Sequence, residues 1–273
     1  MRVVALSTRA EIEPFLRRSA PAQLYALADL DEPFWPHTRW LATLGSDGAP
    51  DALCLVLDKL ELPIAHAIAP PHDPATLALL AALALRLPAR FYANLPVGFA
   101  AALAPTHRIE PHGEYLKMWL PDARGLAGVD EPRGIEPLGP AHAAELAEFY
   151  AGHATRDGER AVRFFAPYML DPFPWLGLRE RGRLVCVAGL HVFSRRSGVA
   201  AIGNVATAPE RRGRGLARAL CARLARELLA QVPLVGLNVA AGNEPALRCY
   251  RRLGFREALR YEEALVTRSG APL

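Results

Sequence analysis

At 273 residues, 51% apolar and 22% charged, the chain is long enough for two ordinary domains and too hydrophobic to be largely disordered. The formal net charge of +4 rests almost wholly on arginine, with lysine only at Lys59 and Lys117. Such a mild excess favours anionic ligands without selecting one. The opening MRVVALSTRAEIEPFL carries acids and a proline where a signal peptide needs an unbroken apolar segment. The Ala/Leu run at 75–87 is too short to span a membrane and is closed by Pro88. The expectation is a cytoplasmic protein without membrane association, and the preference for Arg, Ala, Leu and Pro suits a GC-rich bacterial genome.

In chain order, residues 39–44 and 52–57 read as strands joined by the turn signal GSDG, and PIAHAIA reads as a third short strand. Residues 73–87 read as a helix with Asp73 as N-cap and Pro74 at the first helical position. A strand at 90–94, a short helix near 97–103 and a strand at 114–120 follow. This half shows no evident chemistry, because His37, His66, His72, His107 and His112 are scattered without a metal-ligand spacing.

The Pro-, Gly- and Asp-rich stretch PDARGLAGVDEPRG (121–134) is the linker candidate. It places a first domain at 1–125, a linker at 126–133 and a second domain at 134–273. Beyond it, strands are expected at 134–138, 175–179, 184–193, 199–208, 234–240 and 256–267. Helices are expected at 141–150, 161–170, 215–230 and 244–253, the last closed by Gly254. This alternation predicts an α+β fold, a mixed sheet flanked by helices. The four cysteines, Cys54, Cys186, Cys221 and Cys249, form no C-x-x-C pair and lie in apolar segments, so they read as buried thiols in a reducing compartment.

The informative stretch is VATAPERRGRGLARAL (205–220), where a strand meets a burst of arginine and glycine and then a helix. Leu216, Leu220, Leu224 and Leu228 form an i, i+4 stripe, which sets the helix start near Gly213–Gly215. Unpaired N–H groups at that terminus, the helix dipole, two glycines and the charges of Arg212 and Arg214 together make a phosphate cradle. No G-K-[ST] and no G-x-G-x-x-G accompanies it, so neither nucleotide hydrolysis nor hydride transfer is indicated.

These residues resemble a known superfamily. Arg212-Gly213-Arg214-Gly215-Leu216-Ala217 matches the R/Q-x-x-G-x-G/A pyrophosphate motif of the GNAT acetyltransferases, and GNEPALRCYRRLGF (242–255) resembles their second signature, N-x-x-A-x-x-x-Y-x-x-x-G-F. The flavour is closest to the FR47-like and glycine N-acyltransferase-like branch, in which a degenerate GNAT-like half often precedes the catalytic one. The resemblance implies acetyl-CoA as cofactor. Val205, Ala206 and Thr207 would serve the thioester and pantetheine, Arg212 to Ala217 the pyrophosphate, and Asn243 and Ala246 the cofactor arm.

Tyr250 is implied as both a cofactor contact and the acid that protonates the departing thiolate, a role open to a phenol that stays protonated near neutral pH. Asn243 also reads as the N-cap of its helix. A glutamate base, which many relatives carry on the strand before the motif, is replaced here by AAIGNVAT. Asn204 cannot take a proton but could orient a water or the amine, and His191, His153, Asp171 and Glu148 are further candidates. The acceptor is expected to be a small-molecule or peptide amine, with no metal and no nucleic-acid partner, and a homodimer is compatible. Two other readings are an acyl-CoA-binding protein without catalysis and an arginine patch for nucleic acid.

Overall fold

The computed structural model describes residues 2–67, 69–152, 165–171 and 173–270. They form two compact units, Met1–Met118 with Val239–Asn243 and Glu257–Leu273, and Trp119–Asn238 with Glu244–Arg256. The C-terminal strand thus belongs with the first unit, a division that a cut at 126–133 does not make.

In the first unit, β1 (Val3–Leu6) is followed by helices α1 (Arg9–Arg17) and α2 (Leu24–Ala28). β2 (Thr38–Leu44), β3 (Pro50–Leu57) and β4 (Ile64–His66) then continue an antiparallel series from β1. Helix α3 (Pro74–Leu83) leads to β5 (Arg90–Pro96), which lies parallel to β4. β6 (His107–Trp119) follows, and β12 (Arg256–Arg268) pairs antiparallel with β5.

Helix α1 begins in a reciprocal cap. The Thr8 hydroxyl accepts from the Glu11 N–H, and the Glu11 carboxylate accepts from the Thr8 N–H at 2.9 Å. Asp73 caps α3 as expected, its carboxylate accepting from the Thr76 N–H at 2.7 Å. The regular helix stops at Leu83 rather than 87, and the chain continues in turns, with the Arg86 and Leu87 N–H groups donating to the Leu83 carbonyl ahead of Pro88. Leu79, Leu80 and Leu83 pack on Cys54, Val56, Phe91 and Val266 to form the core.

One buried charge interrupts the apolar interior of this unit. The Lys117 ammonium lies 4.9 Å from the Tyr25 ring centre and 4.7 Å from that of Tyr261. Burial pulls its pKa down to about 7 against the attraction of Glu263 and Asp29.

The second unit repeats the order of the first. β7 (Ile135–Leu138), β8 (Trp175–Glu180), β9 (Arg183–Ser194) and β10 (Val199–Thr207) are antiparallel neighbours. Helix α4 (Ala143–Gly152) separates β7 from β8, and helix α5 (Leu216–Leu229) leads to β11 (Leu234–Ala240), which is parallel to β10. Helix α6 (Glu244–Arg252) completes it. Of the expected helix at 161–170, residues 161–164 lie outside the described residues and Pro167–Leu170 is a single 3-10 turn.

The stretch read as a linker is packed down rather than free. Leu126 is 1% exposed, and Arg226 of α5 reaches the Leu126 carbonyl at 2.5 Å and the Glu131 carboxylate at 2.7 Å. Cys54, Cys186 and Cys221 are buried as expected, whereas Cys249 is only partly so, and all four are free thiols.

Candidate active site

The site is built where β10 leaves its neighbours. β10 pairs with β11 only from Val199↔Leu234 to Ile202↔Leu237, yet it runs on to Thr207. Over Gly203–Thr207 only β9 holds it, among the described residues of this unit, so the opposite edge offers main-chain groups to a ligand. β4 of the first unit shows no such overhang, its three residues all being paired with β5.

Two irregularities shape this overhang. Between Ala201 and Ile202 the partner on β9 jumps from Val192 to Leu190, which makes His191 an extra residue. Between Gly203 and Ala206 the register slips by one on β10, and Asn204 there adopts φ 53°. The Asn204 carbonyl accepts from the Tyr150 hydroxyl at 2.5 Å, and its side-chain amide meets Met169 Sδ at 3.7 Å and hydrogen-bonds His191. Burial holds the His191 imidazole below its ordinary range, with the Asn204 bond opposing. The His191 ring lies against Gly203 so closely that any Cβ there would overlap it. Asn204, expected to orient water or the amine, is thus the residue on which the bulge turns.

Val205, Ala206 and Thr207 follow, half-buried along the open edge. Thr207 touches the Cys186 thiol at 3.2 Å, and burial raises that thiol to about 11, which leaves it unsuited as a nucleophile at neutral pH.

The strand then turns through Pro209–Arg211 into the loop of Arg212, Gly213, Arg214 and Gly215, all four exposed. Gly213 and Gly215 have φ 76° and 77°, a conformation that costs other residues about 1–2 kcal/mol. Gly215 is the N-cap of α5, and no side chain caps the helix. The first turn therefore presents main-chain N–H groups at Leu216 and Ala217, just after Arg212 and Arg214 in the chain. α3 differs at the same point, since the Asp73 carboxylate fills its N-terminus. Arg212 donates to the Thr207 carbonyl at 3.2 Å, tying the loop to the open strand. Leu220, Leu224 and Leu228 are fully buried and hold α5 against the sheet, while Leu216 at the mouth is only partly covered.

Asn243 immediately precedes α6, and its N–H donates to the Ala240 carbonyl at 2.9 Å. Ala246 sits in the first turn of α6. Tyr250 is 8% exposed on the same helix and stands edge-on to Phe255, ring centres 5.9 Å apart. The chain folds back over the helix end at Gly254, φ 92°, with the Phe255 N–H donating to the Tyr250 carbonyl at 3.0 Å. Neither Asp171 nor Glu148 is brought to the bulge by any hydrogen bond to it, among the described residues, and His153 lies outside them.

Several arginines that suggested a nucleic-acid face are paired with carboxylates. Arg211 meets Glu180 at 2.7 Å, Arg223 meets Glu227 at 3.0 Å and Arg226 meets Glu131 at 2.7 Å. No metal-binding cluster occurs among the described residues, and no described helix is long and apolar enough to cross a membrane.

A strand that parts from its parallel neighbour and runs into a glycine–arginine helix start defines a GNAT-type acyltransferase fold. Residues 141–255 match the acetyltransferase (GNAT) family, so the chain carries a GNAT acyltransferase domain. A GNAT-family acetyltransferase structure from Novosphingobium aromaticivorans is similar at 25% identity, covering 79% of this chain and 88% of that one, with a TM-score of 0.54. A Drosophila protein shares the fold over 97% of this chain and 98% of its own, at 14% identity and a TM-score of 0.68. A tandem GNAT protein of the clavulanic acid biosynthesis pathway does so over 100% and 99%, at 18% identity and a TM-score of 0.56.

Proposed function

We propose that the second unit is an acetyl-CoA-dependent N-acetyltransferase acting on a primary amine by direct transfer within a ternary complex. The observation that carries this reading is the open edge of β10 leading into an uncapped, glycine-framed helix N-terminus. The donor set suits a CoA thioester. Leu216 and Ala217 N–H groups with Arg212 and Arg214 would hold the pyrophosphate, and Val205 to Thr207 would hydrogen-bond the pantetheine arm. Ala246, in the first turn of α6, belongs to the same reading as a further contact to that arm.

When bound, acetyl-CoA supplies an acyl thioester activated for attack by an amine nitrogen. A β10 N–H directed at the acyl oxygen stabilises the charge that develops there, an effect worth about 3 kcal/mol for one donor. Tyr250 gives its phenolic proton to the leaving sulfur, and the proton shed by the nitrogen restores the phenol through solvent. Cys186 takes no covalent part, since burial keeps it a thiol.

The test is thiol release from acetyl-CoA across a panel of primary amines, from amino acids to polyamines and peptides. Turnover with at least one amine is expected. Tyr250→Phe should lower kcat by about 10²-fold or more while acetyl-CoA binding persists. Acetyl-CoA binding without release to any amine would instead make this an acyl-CoA-binding protein, and a fully active Tyr250→Phe would remove the acid from the mechanism.

A further inference from the structure

We propose that Tyr150 is a positioning residue for acyl transfer, its hydroxyl locking the β10 bulge that decides which main-chain groups face the open edge. This rests on the reading of β10 as the thioester strand. In a regular strand, successive residues direct their N–H and C=O groups to opposite edges. One inserted residue reverses that assignment for everything after it. With the slip between Gly203 and Ala206 in place, Val205, Ala206 and Thr207 present one set of groups to the side where β11 has departed. Without it they would present the other set, and a donor aimed at the acyl oxygen would be exchanged for an acceptor.

The bulge needs an external hold for two reasons. Asn204 occupies left-handed backbone at φ 53°, which asparagine tolerates better than most residues but which still benefits from a partner that holds it in place. Its carbonyl also lies within the bulge, where neither Asn204 nor Val205 has a registered partner on β9. Tyr150 answers both through a 2.5 Å hydrogen bond from α4 to that carbonyl.

The phenol is itself fixed. Tyr150 is 2% exposed, with Phe149 at 5.8 Å and Phe165 at 5.5 Å between ring centres. Burial raises its pKa, so the hydroxyl remains a donor across the working pH range. Tyr150 has no part in proton transfer on this account and acts only through Asn204.

Amide hydrogen exchange in the free protein reads the bulge directly. In Tyr150→Phe, those amides among Val205–Thr207 that point toward β9 should exchange at least about tenfold faster than in wild type, while those of α5 keep their rates. Calorimetric titration adds a ligand readout. Wild type should prefer acetyl-CoA to CoA by about fivefold, the factor set by one hydrogen bond of ordinary net strength. The variant should keep its CoA affinity within about twofold and lose that preference.

Unchanged exchange at 205–207 overturns the proposal. A wild type that binds neither compound overturns the functional reading, and the exchange rates still decide the role of Tyr150. Should Tyr150→Phe fail to fold, the wild type with labelled tyrosine answers instead. A slowly exchanging Tyr150 hydroxyl proton close to the Asn204 backbone supports the hold, and a rapidly exchanging one overturns it.

Discussion

Replacing Gly215 separates the backbone from the charge of the cradle. At φ 77° and ψ 6°, alanine or glutamate should each cost about 1–2 kcal/mol in backbone strain. A Cβ there meets nothing within 4 Å, so neither variant adds a clash and both should fold. With unit 2 melting as one domain, that strain lowers the apo Tm by roughly 2–8 °C. Saturating wild type at a hundred times Kd should add about 2.7 kcal/mol, a shift of roughly 5–11 °C.

Glutamate also sets a carboxylate against the pyrophosphate. Gly215 is exposed, so screening holds the repulsion to about 2–4 kcal/mol in total, enough to weaken binding by about 30-fold or more. At the same ligand concentration the stabilisation then falls to about 0.9 kcal/mol or less. A thermal-shift titration of wild type, Gly215→Ala and Gly215→Glu with acetyl-CoA reads both effects. The alanine variant should melt early but keep most of the ligand shift, and the glutamate variant should lose it. A full ligand shift in Gly215→Glu would refute the assignment of this helix start to the pyrophosphate.

Asp73→Ala should cost the first unit about 1 kcal/mol through the lost α3 cap and leave the acetyl-CoA shift unchanged, which chemical denaturation and the same titration would check. The Arg179 guanidinium grips Glu145 through two contacts, at 2.5 and 2.6 Å, and holds its carboxyl below the ordinary range. A lowered folded pKa means stability present above the unfolded value and lost as pH falls through the folded one. Glu145→Gln should therefore destabilise by at most about 1 kcal/mol at pH 7, with the gap to wild type closing below about pH 4 in denaturant titrations. A gap that is constant with pH would assign the loss to packing instead.

How much of this was legible in the sequence depends on how local each feature is. The helix start at Leu216 follows from the leucine stripe and two glycines within one turn, and it falls one residue from its expected place. Strand 234–240 and the helix from Glu244 have strong local patterns and appear where expected. The first 35 residues yielded no element, although S-T-R-A-E carries the capping pair that opens α1; the proline at position 14 masks the periodicity that follows.

The site divides in the same way. The glycine–arginine loop is a contiguous signal, whereas the bulge is a relation between strands. His191 and Asn204 become special only when β9 and β10 pair out of register, and Tyr150 reaches Asn204 across 54 positions in the chain. The buried Lys117 looks like any lysine in sequence, since its environment is assembled from Tyr25, Asp29, Tyr261 and Glu263. The return of β12 to β5 likewise depends on a long-range pairing that no local pattern encodes.

The central claim is that an acyl-CoA thioester lies along the open edge of β10 and against the start of α5. Hydrogen–deuterium exchange of the full chain, with and without acetyl-CoA, tests it most directly. Protection is predicted in peptides covering 203–220, with the strongest effect at 205–207 and 213–218. Unchanged exchange across 203–220 while acetyl-CoA is bound, or protection confined to the first unit, would contradict it.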